Sequence, residues 1–373
     1  MKMEKYYYWL HNVSGIGRIT FNKIVTHMTP EELYQGNTEK IKELLTKKQI
    51  ENIKRSKEIW DVQKQWELLK KRNINLFYNG GRGYPEKLSV ISDAPPVLYQ
   101  KGKTEILHQP SVAVIGARSC SNYGSFMAKE LGRELARIGI VVVSGMARGI
   151  DSICQRTSLE YGGESIGVLG SGVEICYPPE ERQLFEGLQK KGCLVSENPP
   201  FTQPQSGLFP LRNRIISALA DVIVVVEARE KSGTLITVDM ALEQGKEVYA
   251  IPGRTTDWVS RGCNKLIKQG AGVLLSVEEF LEEISPILKV KYDRGITESI
   301  GKLSSEEKKI VEVLDTTLKN MEEIYELVKQ KNTDISLPQV MNLVMDLRMK
   351  KIIEEENGYY FCNKIAVATK TLQ

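Results

Sequence analysis

The chain has 373 residues, a length that suits two or three domains better than one core. Its 41% hydrophobic and 26% charged residues are the balance of a soluble globular protein, and no stretch is apolar for long enough to span a bilayer. The N-terminus lacks the apolar core and cleavage site of a signal peptide, so a cytoplasmic protein without membrane contact is expected.

The net charge of +4 is unevenly spread. Residues 1–75 carry 15 Lys/Arg against 9 Asp/Glu, residues 76–303 carry 26 of each, and residues 304–373 carry 10 against 12. The basic N-terminal part permits contact with phosphates, although a solvated helical face has the same composition. Six scattered cysteines without a C-x-x-C pair argue against a disulfide framework and a zinc site. Only His11, His27 and His108 are present, which leaves no histidine for acid–base chemistry beyond Ser111.

From Tyr6 to about Arg72 the pattern is one of short helices, and residues 1–75 are expected to form an all-helical domain. Within it, Leu10-His-Asn-Val-Ser-Gly-Ile-Gly-Arg-Ile-Thr resembles a helix-hairpin-helix element, whose glycine turn can meet a DNA phosphate. A glycine turn between two packed helices has the same pattern. Ile74 to Tyr78 is a predicted strand, and a proline-marked bridge follows with Pro85, Pro95 and Pro96.

Residues 76–287 alternate short apolar runs with helical stretches. Val112 to Ile115 and Ile140 to Val143 are apolar throughout, as parallel strands covered on both faces are. The helical run between them completes a βαβ unit. Further strands are predicted at 165–169, 193–196, 221–226, 247–251 and 273–275, giving an α/β, Rossmann-like, mainly parallel doubly wound sheet. Residues 288–302 read as a linker. In residues 303–373, three helices and a hairpin separated at Gly358 make a winged-helix pattern. Its third helix offers few cations, which favours protein contact over groove reading.

Ligands of such sheets bind outside the carboxyl ends of the strands, and four turns there are polar. Gly116, Ala117, Arg118 and Ser119 combine helix N–H groups with a cation, as a phosphate pocket does. Ser144, Gly145 and Arg148 lie in the next turn, Ser144-Gly-Met-Ala-Arg-Gly-Ile-Asp151. Phe209 can stack on a base, and Arg212, Asn213 and Arg214 follow it at a helix start. Of the two arginines, one is expected to turn inward and the other to reach the ligand. Ser232, Gly233 and Thr234 complete the rim. Neither a G-x-G-x-x-G run nor an acidic residue closing the second strand is present, which disfavours a nicotinamide or flavin enzyme. No turn supplies an activated nucleophile or a metal-ligand cluster, so binding without catalysis, cofactor or metal is expected.

These residues carry a resemblance to a bacterial family. Tyr84-Pro, Asp93-Ala-Pro-Pro-Val-Leu-Tyr, Val114-Ile-Gly-Ala-Arg, Ser144-Gly-Met-Ala-Arg-Gly-Ile-Asp, Tyr177-Pro, Ser196-Glu, Phe209-Pro-Leu-Arg-Asn-Arg-Ile-Ile, Ser232-Gly-Thr-Leu-Ile-Thr, Ile251-Pro-Gly and Gly262-Cys-Asn-Lys-Leu-Ile keep the order found in the DNA processing protein A (DprA, also called Smf) family. The resemblance implies a homodimer that binds single-stranded DNA, protects it and loads the RecA recombinase in natural transformation and DNA recombination. It also implies an N-terminal sterile-alpha-motif-like or helix-hairpin-helix domain, a phosphate contact at Arg118 and a base contact at Phe209. The chain departs from the family at Gln205-Ser206-Gly207, where a basic residue is usual, and at Gln155, where a histidine is usual. The missing cation predicts weaker binding with a shallower salt dependence. The alternative class is a Rossmann-like nucleotide-processing enzyme of the phosphoribohydrolase kind. Ser232-Gly-Thr-Leu-Ile-Thr lacks the glycine-rich lead-in and the glutamate of that group's motif.

Overall fold

The computed structural model describes residues 3–36, 39–290, 304–314, 318–330, 335–349, 352–356 and 358–362. The chain divides into two compact units, Met1–Lys291 and Tyr292–Gln373. Most of the expected linker, residues 291–303, lies outside the described residues.

The larger unit is built on one nine-stranded sheet. Its strands are β1 (Ile74–Tyr78), β2 (Val97–Gly102), β3 (Ser111–Ile115), β4 (Val141–Ser144), β5 (Ser165–Val168), β6 (Cys193–Ser196), β7 (Val222–Val225), β8 (Glu247–Ala250) and β9 (Gly272–Val273). They lie in the order β1-β2-β6-β5-β4-β3-β7-β8-β9. Neighbours from β6 to β9 pair in parallel, whereas β2 runs antiparallel to both β1 and β6. The chain steps outward from β3 to β4, β5 and β6, then returns to place β7 on the other side of β3. That reversal opens a crevice between β3 and β7, where such sheets bind ligands.

Strand β2 falls in the proline-marked bridge. Pro95 and Pro96 end before it begins, and Val97, Leu98, Tyr99 and Gln100 are all fully buried. Its side chains alternate between two cores, as a pleated strand requires. Leu98 joins Val143, Val195 and Ile215 on one face, and Val97 and Tyr99 join Trp9, Leu10 and Leu188 on the other. The N-terminal helices Glu4–His11 (α1), Arg18–His27 (α2), Pro30–Tyr34 (α3), Lys47–Ile59 (α4) and Val62–Lys71 (α5) therefore share a core with the sheet. In the α1–α2 turn Gly15 has φ +80°, and its carbonyl and that of Ser14 accept hydrogen bonds from Gln49 and Asn52 of α4.

Helices that position the rim are α6 (Glu86–Ser89), α7 (Asn122–Arg137), α8 (Ile150–Glu160), α9 (Arg182–Lys191), α10 (Leu208–Leu219), α11 (Gly233–Glu243), α12 (Arg261–Lys268) and α13 (Val277–Leu288). The α10 helix begins four residues before Arg212, with Pro210 in its first turn, where the missing N–H costs nothing. In the smaller unit, helices Ser305–Val313, Met321–Gln330 and Leu337–Met349 pack on an antiparallel hairpin of Ile353–Glu356 and Tyr359–Cys362. A capping box of Ser304 and Glu307 starts the first of them.

Candidate nucleic-acid interface

The turn after β3 is held from three sides. The Gly116 carbonyl accepts the Thr234 hydroxyl at 3.2 Å, and the Ala117 carbonyl accepts the Ile150 amide at 3.2 Å. Gly149 has φ +76°, and a Cβ there would lie 2.7 Å from the Arg118 carbonyl oxygen, so only glycine lets α8 approach this closely. A Cβ at Gly116 would lie 2.6 Å from Ile150. With the turn fixed, Arg118 and Ser119 are exposed. Among the described residues no carboxylate pairs with Arg118, and no acceptor meets the amides of Ala117, Arg118 or Ser119. An exposed guanidinium beside three open N–H groups is an anion cradle.

Ser144 and Gly145 in the turn after β4 are part of the scaffold, which corrects their expected place at the ligand surface. Ser144 is fully buried and donates its hydroxyl to Val114 at 2.7 Å. The Gly145 amide donates to Asp151 at 3.1 Å, and its carbonyl accepts from Arg212 at 2.7 Å. Gln155, where the family usually has histidine, accepts the Met146 amide and donates to Ser165 and Ile166, so it braces this turn from below. Arg148 is exposed but paired with Glu180. Its own backbone amide, and then Arg148, hold the Glu180 carboxyl below its usual range.

Both α10 arginines turn inward, so the expectation that one reaches a ligand is corrected. Arg212 is 6% exposed and donates to the Gly145 and Val168 carbonyls, with its Nε 3.3 Å from the Asn213 side-chain oxygen. Burial and, to a lesser degree, the nearby charge of Arg118 pull its guanidinium down to about 10 against the opposing pull of Asp151. Asp151 is pushed up by burial, opposed first by Arg212 and also by hydrogen bonds from the turn amides of Gly145 and Ala147. Arg214 is 3% exposed and grips Glu197 with two nitrogens, at 2.8 and 2.5 Å, while its Nε reaches Asp93 at 2.7 Å. The reason is position: the fifth and seventh residues of α10 lie on different sides of the helix but both are enclosed, Arg212 by strand-end carbonyls and Arg214 by Glu197 and Asp93, and a buried guanidinium needs carbonyls or carboxylates to replace water.

Phe209 sits at the start of the same helix and packs over Gly170, whose Cβ would come within 2.9 Å of the ring. Its other neighbour is Tyr177, with ring centroids 5.3 Å apart and planes tilted by 32°. Tyr177 is 41% exposed and is a residue that sequence reading missed as part of the site. The signal for it was the Tyr177-Pro pair in the loop after β5. Ser232 caps α11 by accepting the Thr234 amide at 3.2 Å, and Gly233 is exposed beside it. Glu227, a structural carboxylate that could have paired with Arg212 or Arg214, is buried and instead accepts the Ser121 amide at 2.9 Å and its hydroxyl, tying the start of α7 to the end of β7. The turns after β3, β4, β5 and β6 therefore offer an open cation over free amides, a paired cation and an aromatic pair, all beyond the carboxyl ends of parallel strands. Equipment of this kind suits an anion with an apolar, stackable part. Among the described residues no group of His, Cys, Asp and Glu could hold a metal ion.

The model of the family described as DNA recombination-mediator protein A matches residues 75–285. DNA processing protein DprA of Bacillus subtilis is 41% identical over 224 residues, 60% of this chain and 75% of that protein. DNA processing protein DprA of Streptococcus pneumoniae is 40% identical over 200 residues, 54% of this chain and 71% of that protein. The X-ray structure of DNA processing protein A from Streptococcus pneumoniae superposes with a TM-score of 0.63 at 31% identity, covering 79% of this chain and 100% of that one. A structure of DNA processing protein A from Helicobacter pylori, described for its single-stranded DNA binding mode, has a TM-score of 0.53 at 29% identity and covers 57% of this chain and 96% of that one.

Proposed function

We propose that this chain, which belongs to the DNA recombination-mediator protein A family, binds single-stranded DNA along the carboxyl edge of its sheet. Arg118 and the open amides of Ala117 to Ser119 take a backbone phosphate. Gly116 and Gly233 let the strand approach, Ser232 and Thr234 order the neighbouring turn, and Phe209 with Tyr177 stacks an unpaired base. Arg212, Asn213, Arg214, Ser144 and Gly145 act from behind by holding the rim in shape. The observation that carries this reading is the exposed, unpaired Arg118 beside a second buried guanidinium. Arg118 and Arg212 repel one another, Asp151 offsets only Arg212, and an incoming phosphate supplies the negative charge that Arg118 lacks.

In this reading the protein is a non-enzymatic, cytoplasmic homodimer that protects single strands and hands them to the RecA recombinase in recombination and natural transformation. Residues 76–287 hold the DNA, and residues 1–75 and 303–373 flank them as a helical and a winged-helix domain. The third helix of the smaller unit exposes Met341, Met345 and Met349, a surface suited to protein contact more than to phosphates. A gel shift with single-stranded and duplex oligonucleotides tests the proposal. Preference for single strands is expected, and Arg118→Ala and Phe209→Ala should each weaken it about tenfold without lowering the melting temperature. A preference for duplex, or unchanged binding by both variants, would overturn it.

A further inference from the structure

On the far side of Arg118 the same edge carries an arginine stacked on a tryptophan. Arg229 follows β7 and Trp258 lies in the loop after β8; the guanidinium carbon sits 3.5 Å from the indole centroid. Trp258 is 57% exposed although Arg229 covers one face, so the other face is open. Arg229 is exposed too, and neither of its acidic neighbours in the two loops, Glu230 and Asp257, forms an ion pair with it among the described residues. The loop is held firmly for a surface feature. The Ala228 carbonyl accepts the Gly262 amide at 2.8 Å, and a Cβ at Gly262 would lie 2.7 Å from the Arg229 carbonyl oxygen.

The position is set by strand register. Ile115 pairs with Val225, and Val225 with Ala250. Arg118, Arg229 and Trp258 therefore leave the sheet from three neighbouring parallel strands, all at the carboxyl end. With Tyr177 after β5 and Phe209 after β6, aromatic rings flank the two cations across the six strands from β6 to β8. At the spacing of strands in a sheet, that edge is roughly 24 Å long.

We infer that Arg229 and Trp258 form a second stacking platform, which takes an unpaired base and its phosphate from the same strand that crosses Arg118. The inference rests on the single-stranded DNA reading above and extends it by several nucleotides. A guanidinium lying flat on an indole keeps its N–H edge free for a phosphate, while the indole's open face accepts a base of any sequence.

Binding of the full chain to oligothymidylates of about six and about twenty nucleotides separates this inference from its premise. Trp258→Ala should weaken the longer oligonucleotide about tenfold and leave the shorter one, bound at Arg118 and Phe209, unchanged. Trp258→Phe should restore most of the loss. The longer oligonucleotide should also quench tryptophan emission in the unaltered protein but not in Trp258→Phe, because the other three tryptophans belong to the N-terminal helical region, where Trp9 and Trp66 are buried and Trp60 packs half-buried against the same core. If the unaltered protein binds neither oligonucleotide, the parent reading fails. If Arg118→Ala weakens binding but Trp258→Ala binds the longer strand normally and no quenching occurs, only the platform fails. A change in oligomeric mass on Trp258→Ala with DNA binding intact would likewise overturn it, by assigning the ring to a contact between copies.

Discussion

At the scale of single residues, the rim separates side chains that present charge from side chains that hold the presenters. Gly149 belongs to the second group. Its φ of +76° and its contact with the Arg118 carbonyl mean that Gly149→Ala should cost about 1–3 kcal/mol in stability and weaken single-strand binding by displacing the turn. Thermal unfolding and a binding titration on one preparation check both effects, and intact affinity would detach the turn's geometry from its function. Glu180 illustrates the opposite case. It neutralises Arg148 at an exposed site, so Glu180→Gln should release a cation to the DNA and steepen the slope of log K against log salt by roughly 0.7. An unaltered slope would show that Arg148 lies off the strand's path. Arg118 was legible in the sequence because a lone arginine in a small-residue turn after a buried strand has few other uses. The inward fate of Arg212 and Arg214 was not, since helix phase there depended on a start at Leu208 that Pro210 obscured. Tyr177 belonged to the family pattern but was not placed at the site for a similar reason: it lies in an irregular loop whose approach to Phe209 depends on two strand ends meeting.

At the scale of elements, the acidic and aromatic residues around Asp93 explain why the segment after β1 carries a recognisable pattern without touching the rim. Asp93 accepts Arg18 of α2 and Arg214 of α10, and Tyr84 donates to Pro95 at 2.7 Å, so the segment ties helix to helix across the sheet edge. Arg214→Ala should therefore destabilise by about 3 kcal/mol, because Glu197 and Asp93 lose a shared buried cation. A shift of the urea midpoint measures this, and a neutral result would mean that water replaces the guanidinium. His11 on α1 makes the contact between helices and sheet sensitive to pH. Burial pulls its imidazole down to about 4, and its Nδ1 lies 2.9 Å from the Tyr99 hydroxyl. The folded state holds the neutral ring, so its contribution is complete above about pH 6.5 and is lost as pH falls toward 4, up to about 3 kcal/mol. Urea unfolding at both ends of that window should show His11→Gln losing less stability than the unaltered protein; equal losses would place the titration elsewhere. The parallel strands were legible from their unbroken apolar runs. Strand β2 was masked by the prolines before it, and its antiparallel pairing depends on contacts with β6 that lie about ninety residues away along the chain.

At the scale of the whole molecule, the proposed reading assigns DNA contact to the larger compact unit and protein contact to the smaller one. The larger unit holds every residue of the rim, and its core includes the N-terminal helices, with Trp9, Leu10 and Leu188 packed around Val97 and Tyr99. A chain ending at Lys291 keeps that core whole. One ending or starting near residue 75 would strip Tyr99 and Leu194 of their cover and expose apolar surface costing about 25 cal/mol for each Å². The smaller unit has a core of its own around Ile310, Ile324, Val344 and Leu347, so its removal leaves no cavity behind. Residues 1–291 alone should consequently unfold in one cooperative transition and bind single strands within about twofold of the full chain, since the rim's phosphate and stacking contacts are all retained. Residues 76–291 alone should aggregate or unfold at a markedly lower temperature. Calorimetry and fluorescence anisotropy on the two truncations decide the matter. Loss of single-strand affinity in 1–291 would move part of the DNA site into the smaller unit, whereas a stable, binding-competent 76–291 would make the helical region an independent domain that merely rests on the sheet.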